Sequence, residues 1–378
     1  MIEMLLNEER KAFRETVRRF AKTQVIPFVK TWEKQRNYPE EYYKKISEIG
    51  FMGLMVPEEY GGMGGTLVDV VILGEEMGRA GVSIPLTHIS ACCRAIANHG
   101  NEEQKRRYLP DMASGKRVGA YCQTEPDAGS DSASMTSFAE TRDGHYLLNG
   151  RKNFISNAGI ASVFVVLAKT EREKGSKGIS VFIVDRDMQG VSVGENEEKM
   201  GRHCSSMNDV VFEDVRVPIE NLLVPAGRGF KEMMIEFNSE RCGNASLCLG
   251  MAQGAYERAL QYSKDRVQFG SPIADLQGIR WILAEMAIQI QAARLLVYDA
   301  AFKADQGKII AKEAAMAKKF ANEMSIWVVD KAIQLHGGYG YMTEYEVERY
   351  YRDVRGWSMG GGTTQICLNR IAHEILKT

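Results

Sequence analysis

An excess of charge of either sign is what this sequence most plainly lacks: 48 Lys plus Arg face 49 Asp plus Glu in 378 residues, a net charge of -1. Such a balance offers no broad positive field for a nucleic-acid backbone or an anionic membrane surface, so neither is expected as a partner. Long apolar runs are missing too, and no window reaches the roughly 18 uncharged apolar residues that a membrane-spanning helix needs. The first twenty residues mix Glu3, Glu8, Glu9, Arg10, Lys11, Arg14 and Glu15 with apolar positions. They resemble neither a signal peptide nor an acid-poor transit peptide, and a cytoplasmic protein is the expectation. The seven cysteines are an odd number with no C-x-x-C pair, which argues against a disulfide framework and a zinc site and for buried thiols in a reducing compartment. The six histidines show no H-x-x-x-H spacing, so no metal is expected. No G-x-x-x-x-G-K-[ST] occurs, and the glycine-rich stretches at 61–65 and 337–340 do not read G-x-G-x-x-G between a strand and a helix, which removes the P-loop and Rossmann sites.

What is present divides into three blocks, more than one hydrophobic core usually supports. Residues 7–32 place Phe13, Val17, Phe20, Ala21 and Val25 on one face and Arg14, Arg18, Arg19 and Lys22 on the other, the pattern of one amphipathic helix. A second helix is expected from Tyr42 to Ile49, stopped by Gly50, then a loop over 57–65. Apolar-periodic segments follow at 68–80 and 87–98, with Gly100 and Pro110 as breakers. From about residue 118 the period changes to two. Asp143-Gly144 and Asn149-Gly150 predict tight hairpins, and the runs at 163–168, 179–184 and 210–217 predict further short antiparallel strands, ending near Pro225. Beyond Gly229 the helical period returns, through Ile279 to Val297 and through Met316 to Leu335, and ends at Gly337-Gly338. The order is helical, sheet, helical, without the alternation of a parallel α/β sheet. The expected class is α+β: an N-terminal helical domain over 1–118, a central antiparallel β domain over 119–227 and a C-terminal four-helix-bundle domain over 228–378.

One stretch stands at the junction of the first two blocks, Tyr121-Cys122-Gln123-Thr124-Glu125-Pro126-Asp127-Ala128-Gly129-Ser130-Asp131. By chemistry alone it is either a plain loop or a turn whose hydroxyls and N–H groups hydrogen-bond a heterocycle or an acyl carbonyl. It closely resembles a signature of the acyl-CoA dehydrogenase flavoproteins. Four further segments resemble that family in the same order: Phe154-Ile155-Ser156-Asn157, Val211 to Val215 with Val217-Pro218, Arg266-Val267-Gln268-Phe269-Gly270, and Gln334 to Tyr341. The likeness runs from about residue 6 to about 374, and the order of the blocks is also the family's.

The resemblance implies FAD, held noncovalently. Position by position, Tyr121, Gln123, Thr124, Phe154 and Ser156 would line the flavin ring, with Ser130 and Asp131 along flavin and acyl-CoA. Arg266, Gln268 and Phe269 would meet the pyrophosphate and adenosine of a flavin held by a neighbouring subunit, and Gln334, Gly338, Thr363 and Gln365 would complete that site. A homotetramer or dimer, an acyl-CoA thioester substrate and an electron-transferring flavoprotein as acceptor are implied in the same way. The family's reaction takes the α-proton of the thioester with a carboxylate while the β-hydrogen leaves as hydride to the flavin.

In many members that carboxylate is a Glu in a Tyr-Glu-Gly-Thr run, but here the run is Gly360-Gly361-Gly362-Thr363. A minority, of the isovaleryl and long-chain type, carries the base in a segment resembling Phe237-Asn238-Ser239-Glu240-Arg241, which makes Glu240 the candidate base. Its plainer alternative is a helix-surface Glu paired to a cation. Gly361 keeps a backbone N–H for the thioester oxygen, while Asn238 and Arg241 become substrate-side residues. Three glycines beside the reacting carbons suggest a branched, alicyclic or otherwise bulky acyl group. An enoyl-CoA reductase, an FAD-retaining lyase or desulfinase, and a flavin-containing partner-binding protein are the alternatives.

Overall fold

A computed structural model describes residues 6–82 and 86–377, with Leu86, Thr87, His88 and Ser90 described by backbone alone. Glu3 of the charged N-terminus and the rest of residues 1–5 lie outside the described residues, as does Thr378. Helix α1 (Glu8–Phe20) is capped by the Asn7 side chain, which accepts from the Arg10 N–H at 2.9 Å, and buries Val17 and Phe20. The single helix expected over 7–32 is not continuous. It widens into a π-turn at Ala21–Val25 and resumes as α2 (Val29–Gln35). Pro27 lies in that gap; it has no N–H to donate and crowds the preceding turn. Helix α3 (Glu40–Glu48) does end at Gly50, which takes φ +84°.

Three more helices complete the first block: α4 (Leu67–Arg79), α5 (Leu86–His99) and α6 (Glu102–Ala113). Pro110 does not break its helix, contrary to the sequence expectation, but sits inside α6. The Asn101–Gln104 capping box fixes the start of α6, and burial of Tyr108, Leu109, Met112 and Ala113 on both sides of the proline outweighs one lost backbone bond.

The sheet contains β1 (Gly119–Cys122), β2 (Phe138–Arg142), β3 (His145–Ser156), β4 (Val163–Lys169), β5 (Ile179–Asp185), β6 (Val191–Val193), β7 (Met207–Pro218) and β8 (Leu222–Val224). Their order is β6-β7-β3-β2-β4-β5-β8. Most pairs are antiparallel, but β4 is met in parallel by β1, with Gly119 opposite Val163, and briefly by β2, with Phe138 opposite Lys169. The β2–β3 hairpin occupies the crossover that a parallel pair requires. Asp143-Gly144 makes the expected turn between β2 and β3. Asn149-Gly150 does not: β3 runs through it, and its register against β7 slips between Leu148 and Gly150. A Cβ on Gly150 would stand 2.1 Å from Ser137 Oγ, and the Asn149 amide exchanges two 2.9 Å bonds with Asp214, so the pair supplies a close approach and a bulge. Strands β4 and β5 read as unbroken apolar runs because both faces are covered. Val163, Val165 and Leu167 join the core shared with the helices, whereas Phe164, Val166 and Ala168 fill the core inside the sheet domain.

The last block is built on α7 (Gly229–Asp265), α8 (Gln277–Asp305) and α9 (Ala311–His336), followed by α10 (Val347–Trp357) and α11 (Thr364–Leu376). A short hairpin, β9 (Val267–Gln268) with β10 (Ser271–Pro272), joins α7 to α8. Helices α4 and α7 cross at backbone distance. A Cβ on Gly78 would lie 2.3 Å from the Leu247 carbonyl oxygen, and one on Gly250 would lie 2.0 Å from that of Glu75. This crossing fixes α7, and with it Glu240, against the N-terminal block. No helix among the described residues is long and apolar enough to cross a membrane.

Candidate functional site

The central side chain of the site is Glu240, on a stretch of α7 that is buried on every side and leaves it 5% exposed. Facing it is the turn between α10 and α11, where Gly361 takes φ +72°. A Cβ on Gly361 would lie 2.8 Å from Glu240 Oε2 and 3.3 Å from Lys318 Cε. The glycine therefore leaves the space that the Glu240 carboxylate fills. Burial pushes the Glu240 carboxyl above its usual range, and the charges of Lys318, Arg241 and Arg202 oppose that rise. Arg241 donates to Asn238 Oδ1 at 2.8 Å and lies 5.7 Å from the Phe237 ring, so both expected substrate-side residues sit one turn or less from Glu240. Thr363 caps α11 by accepting from the Ile366 N–H at 3.3 Å, and Gln365 is exposed in the first turn of that helix.

Across from α7, Tyr121 at the end of β1 packs 5.8 Å from the Phe237 ring and donates to Gln123 Oε1 at 2.9 Å. Burial pushes its hydroxyl well up, with Cys92, Glu236 and Glu240 adding to the effect. Gln123 and Thr124 are half-buried, and the Thr124 carbonyl accepts from the Asn153 N–H at 2.8 Å, which ties the end of β1 to β3. There β3 slips register a second time, between Lys152 and Ile155, and Phe154 takes φ +58° with 59% of its surface exposed. A bulky residue held left-handed with its ring outward is costly, and such strain concentrates at ligand sites. Ser156 follows, half-buried and paired with Met207, while Ser130 and Asp131 are exposed on the loop after Thr124.

Sequence reasoning missed what holds this loop. Glu125, 3% exposed, accepts from Lys152 Nζ at 2.7 Å, from the Ser137 N–H at 3.0 Å, and from the Thr136 N–H and hydroxyl. Lys152 is fully buried and also donates to the Gln123 carbonyl at 3.2 Å and to Met135 Sδ at 3.9 Å. Although burial alone would raise it, Lys152 and the three other donors pull the Glu125 carboxyl down to about 2. Glu125 stands in a segment already singled out, but Lys152 does not, and nothing local pairs residues 27 positions apart.

A cleft of about 460 Å³ lies at the far end of α7. Arg266, Gln268, Gln334 and Gly338 line it together with Tyr262 and Tyr339. The Arg266 guanidinium sits 5.7 Å from the Tyr339 ring, and a Cβ on Gly338 would meet nothing within 4 Å. Phe269 stands 95% exposed at the tip of the β9–β10 hairpin with φ +53°. Four of the residues expected around pyrophosphate and adenosine are thus brought together, whereas Thr363 and Gln365 are placed at the Gly361 turn instead. An Arg beside an aromatic ring, with open backbone and amide side chains nearby, fits an anionic dinucleotide, and the Tyr121–Phe154 edge fits a planar heterocycle.

Family models for the acyl-CoA dehydrogenase N-terminal, middle and C-terminal domains match residues 7–116, 120–215 and 227–376. The chain is 40% identical to the short-chain-specific acyl-CoA dehydrogenase of Clostridium acetobutylicum, over 96% of each sequence. It is 42% identical to a subunit of the caffeyl-CoA reductase–Etf complex of Acetobacterium woodii, over 99% of this chain and 100% of that one. Among solved structures, butyryl-CoA dehydrogenase of Megasphaera elsdenii superposes with a TM-score of 0.95 at 36% identity, covering 98% of this chain and 99% of that one. With the helical–sheet–helical order, the Glu240 site and the Arg266 cleft already in place, these matches establish that the chain belongs to the acyl-CoA dehydrogenase family of FAD-dependent oxidoreductases.

Proposed function

We propose that this enzyme interconverts a saturated acyl-CoA and its 2,3-enoyl-CoA, with Glu240 as the residue that takes or returns the α-proton. The observation that carries the reading is the complementarity of Glu240 and Gly361: the Glu240 carboxylate fills the space where a side chain at position 361 would begin. Bound FAD supplies the acceptor or donor of the β-hydride. Tyr121, Gln123, Thr124, Phe154 and Ser156 would hold its ring system. Arg266, Gln268, Phe269, Gln334 and Gly338 would hold the diphosphate and adenosine, with Thr363 and Gln365 contributed at a subunit boundary of a homotetramer or dimer.

The α C–H of a thioester is a very weak acid, so charge developing on the thioester oxygen needs a donor; the Gly361 N–H takes that role. A base must also be basic enough to accept the proton, and burial raises the Glu240 carboxyl in that direction. Asn238 and Arg241 orient the CoA side of the ligand, as does Ser130. The acyl group is bulky, either branched, alicyclic or aryl. A Cβ on Gly360 would meet only the Gly356 carbonyl oxygen, at 3.8 Å, and the room left at that end of the turn supports this assignment. An electron-transferring flavoprotein is the redox partner. Dehydrogenation is the leading direction and reduction of an enoyl-CoA the alternative, the chain being 42% identical both to an acyl-CoA dehydrogenase of Bacillus subtilis and to the caffeyl-CoA reductase–Etf subunit.

An anaerobic titration tests these assignments. Butyryl-CoA, isobutyryl-CoA, cyclohexanecarbonyl-CoA and 3-phenylpropanoyl-CoA are added to the FAD-loaded enzyme. Bleaching of the oxidised flavin by the last three supports the reading, and bleaching by the straight chain alone removes the bulky-acyl assignment. Reoxidation of the reduced flavin by the matching enoyl-CoA supports the reductase direction, and a silent flavin with product release marks a lyase. Glu240→Gln lowers the bleaching rate by several orders of magnitude while FAD stays bound; near-normal bleaching rejects Glu240 as the base.

A further inference from the structure

Lys318, on α9, is 1% exposed, a burial that an ammonium tolerates only with partners. Its Nζ donates to the Gly362 carbonyl at 2.8 Å and to the Trp357 carbonyl at 3.1 Å, the two ends of the turn that carries Gly361. Its Cε and the Glu240 Oε2 flank the same point, 3.3 Å and 2.8 Å from where a Cβ on Gly361 would be. The Lys318 side chain and the Glu240 carboxylate thus meet beside the same turn, close enough for the lysine's charge to act on the carboxylate.

We propose that Lys318 is a positioning residue for the base: from the opposite helix it clamps the glycine turn by two carbonyls and presents its ammonium to the Glu240 carboxylate across that turn. The inference rests on the reading of Glu240 as the base. Two neighbours share the clamping without sharing the charge. The Asn322 amide, one turn along α9, donates to the Trp357 carbonyl at 2.6 Å, and the Asn244 amide, one turn along α7, reaches the Gly360 carbonyl at 3.5 Å. A merely structural requirement for the turn is therefore partly met by amides, and the lysine adds a positive charge near the base.

Titratable or charged groups surround Glu240 from several elements. Its own helix carries Glu236, Arg241 and Cys242. Arg202, stacked 3.9 Å from the Trp357 ring, comes from the segment before β7, Tyr121 from β1, Lys318 from α9 and Cys367 from α11. Among the cations, Lys318 opposes the burial of the carboxyl most strongly. Burial in turn draws Lys318 down, while Glu240, Cys367 and Cys248 hold it up. A cation lowers the pKa of a facing carboxyl, so neutralising Lys318 moves the Glu240 titration upward. In the dehydrogenation direction the base must be ionised, and the acid limb of the rate profile then moves to higher pH.

The test uses the full-length FAD-loaded enzyme and whichever of the four acyl-CoAs above bleaches the wild type fastest. The limiting rate of flavin reduction is measured against pH for Lys318→Met, Lys318→Gln, Lys318→Arg and Asn322→Leu, with flavin content and thermal midpoint recorded for each. The neutral variants are expected to shift the acid limb upward by about one pH unit, at the low end of the range for a nearby opposite charge. Their kcat falls and their KM stays close to the wild type. Lys318→Arg keeps the limb in place, and so does Asn322→Leu, which loosens the same carbonyl without removing charge. Flavin-bound Met and Gln variants with an unmoved limb overturn the proposal, as does an equal shift in Asn322→Leu. Failure of the base assignment is separate, because Glu240→Gln would then bleach normally, whereas failure of this proposal alone leaves Glu240→Gln inactive.

Discussion

Adding a single methyl group at Gly361 probes the relation between the glycine turn and the base. Gly361→Ala brings two costs. At φ +72° a Cβ strains the left-handed backbone by about 1–2 kcal/mol. The new carbon would also lie 2.8 Å from Glu240 Oε2, closer than real Cβ contacts come, and 3.3 Å from Lys318 Cε. The carboxylate must move by several tenths of an ångström inside a packed interior, and overpacking of that kind costs about 1–3 kcal/mol. Glu240→Ala removes the atom that is met. The backbone strain then remains and the steric part disappears, so the two substitutions are coupled by about 1–3 kcal/mol. The assay is a double-mutant cycle of Gly361→Ala, Glu240→Ala and the pair, read by thermal unfolding of the FAD-loaded protein and by anaerobic flavin reduction. In the Gly361→Ala single variant, displacement of the base lowers the bleaching rate by about 10-fold, less than the roughly 10²-fold of a full 1 Å misplacement. Additive stability losses, or a Gly361→Ala enzyme that bleaches at the wild-type rate, would refute the reasoning that these two positions compete for one volume.

Two other features give sharp expectations. Lys152→Met leaves the Glu125 carboxylate buried without its cation and should lower stability by about 3–5 kcal/mol with loss of flavin, read by thermal unfolding and by the absorbance ratio of flavin to protein. Glu125 is depressed to about 2 in the folded protein, so its contribution is complete above the ordinary carboxyl range near pH 4.5 and is lost as pH falls toward about 2. Glu125→Gln removes that acid limb, and an acid-unfolding curve identical to the wild type's would argue against it. Arg266→Ala should weaken FAD binding by about 1.5–3 kcal/mol, the worth of a charged hydrogen bond, measured as flavin released on dialysis; Arg266→Lys recovers part of it.

The changes of period at residues 118 and 229 made the three-block order readable, because helices and strands bury apolar residues at spacings that no neighbour can alter. The Asp143-Gly144 hairpin was readable for a similarly local reason. Asn149-Gly150 carries the same type of signal and is a bulge, because β7 and Ser137 lie against it. Pro110 stands inside a helix because the burial on both sides of it outweighs its local preference.

The sequence by itself determined the class of elements, the family through its ordered motifs, and the absence of a carboxylate at position 361. It also nominated Glu240. The tertiary structure alone decided that Glu240 and Gly361 share one volume, that Lys318 sits beside both, and that Glu125 reaches Lys152 beneath the 121–131 loop. The physical reason is separation along the chain. Residues 240, 318 and 361 lie on three different elements, and their charges and volumes acquire meaning only when packing removes water and brings them within a few ångströms.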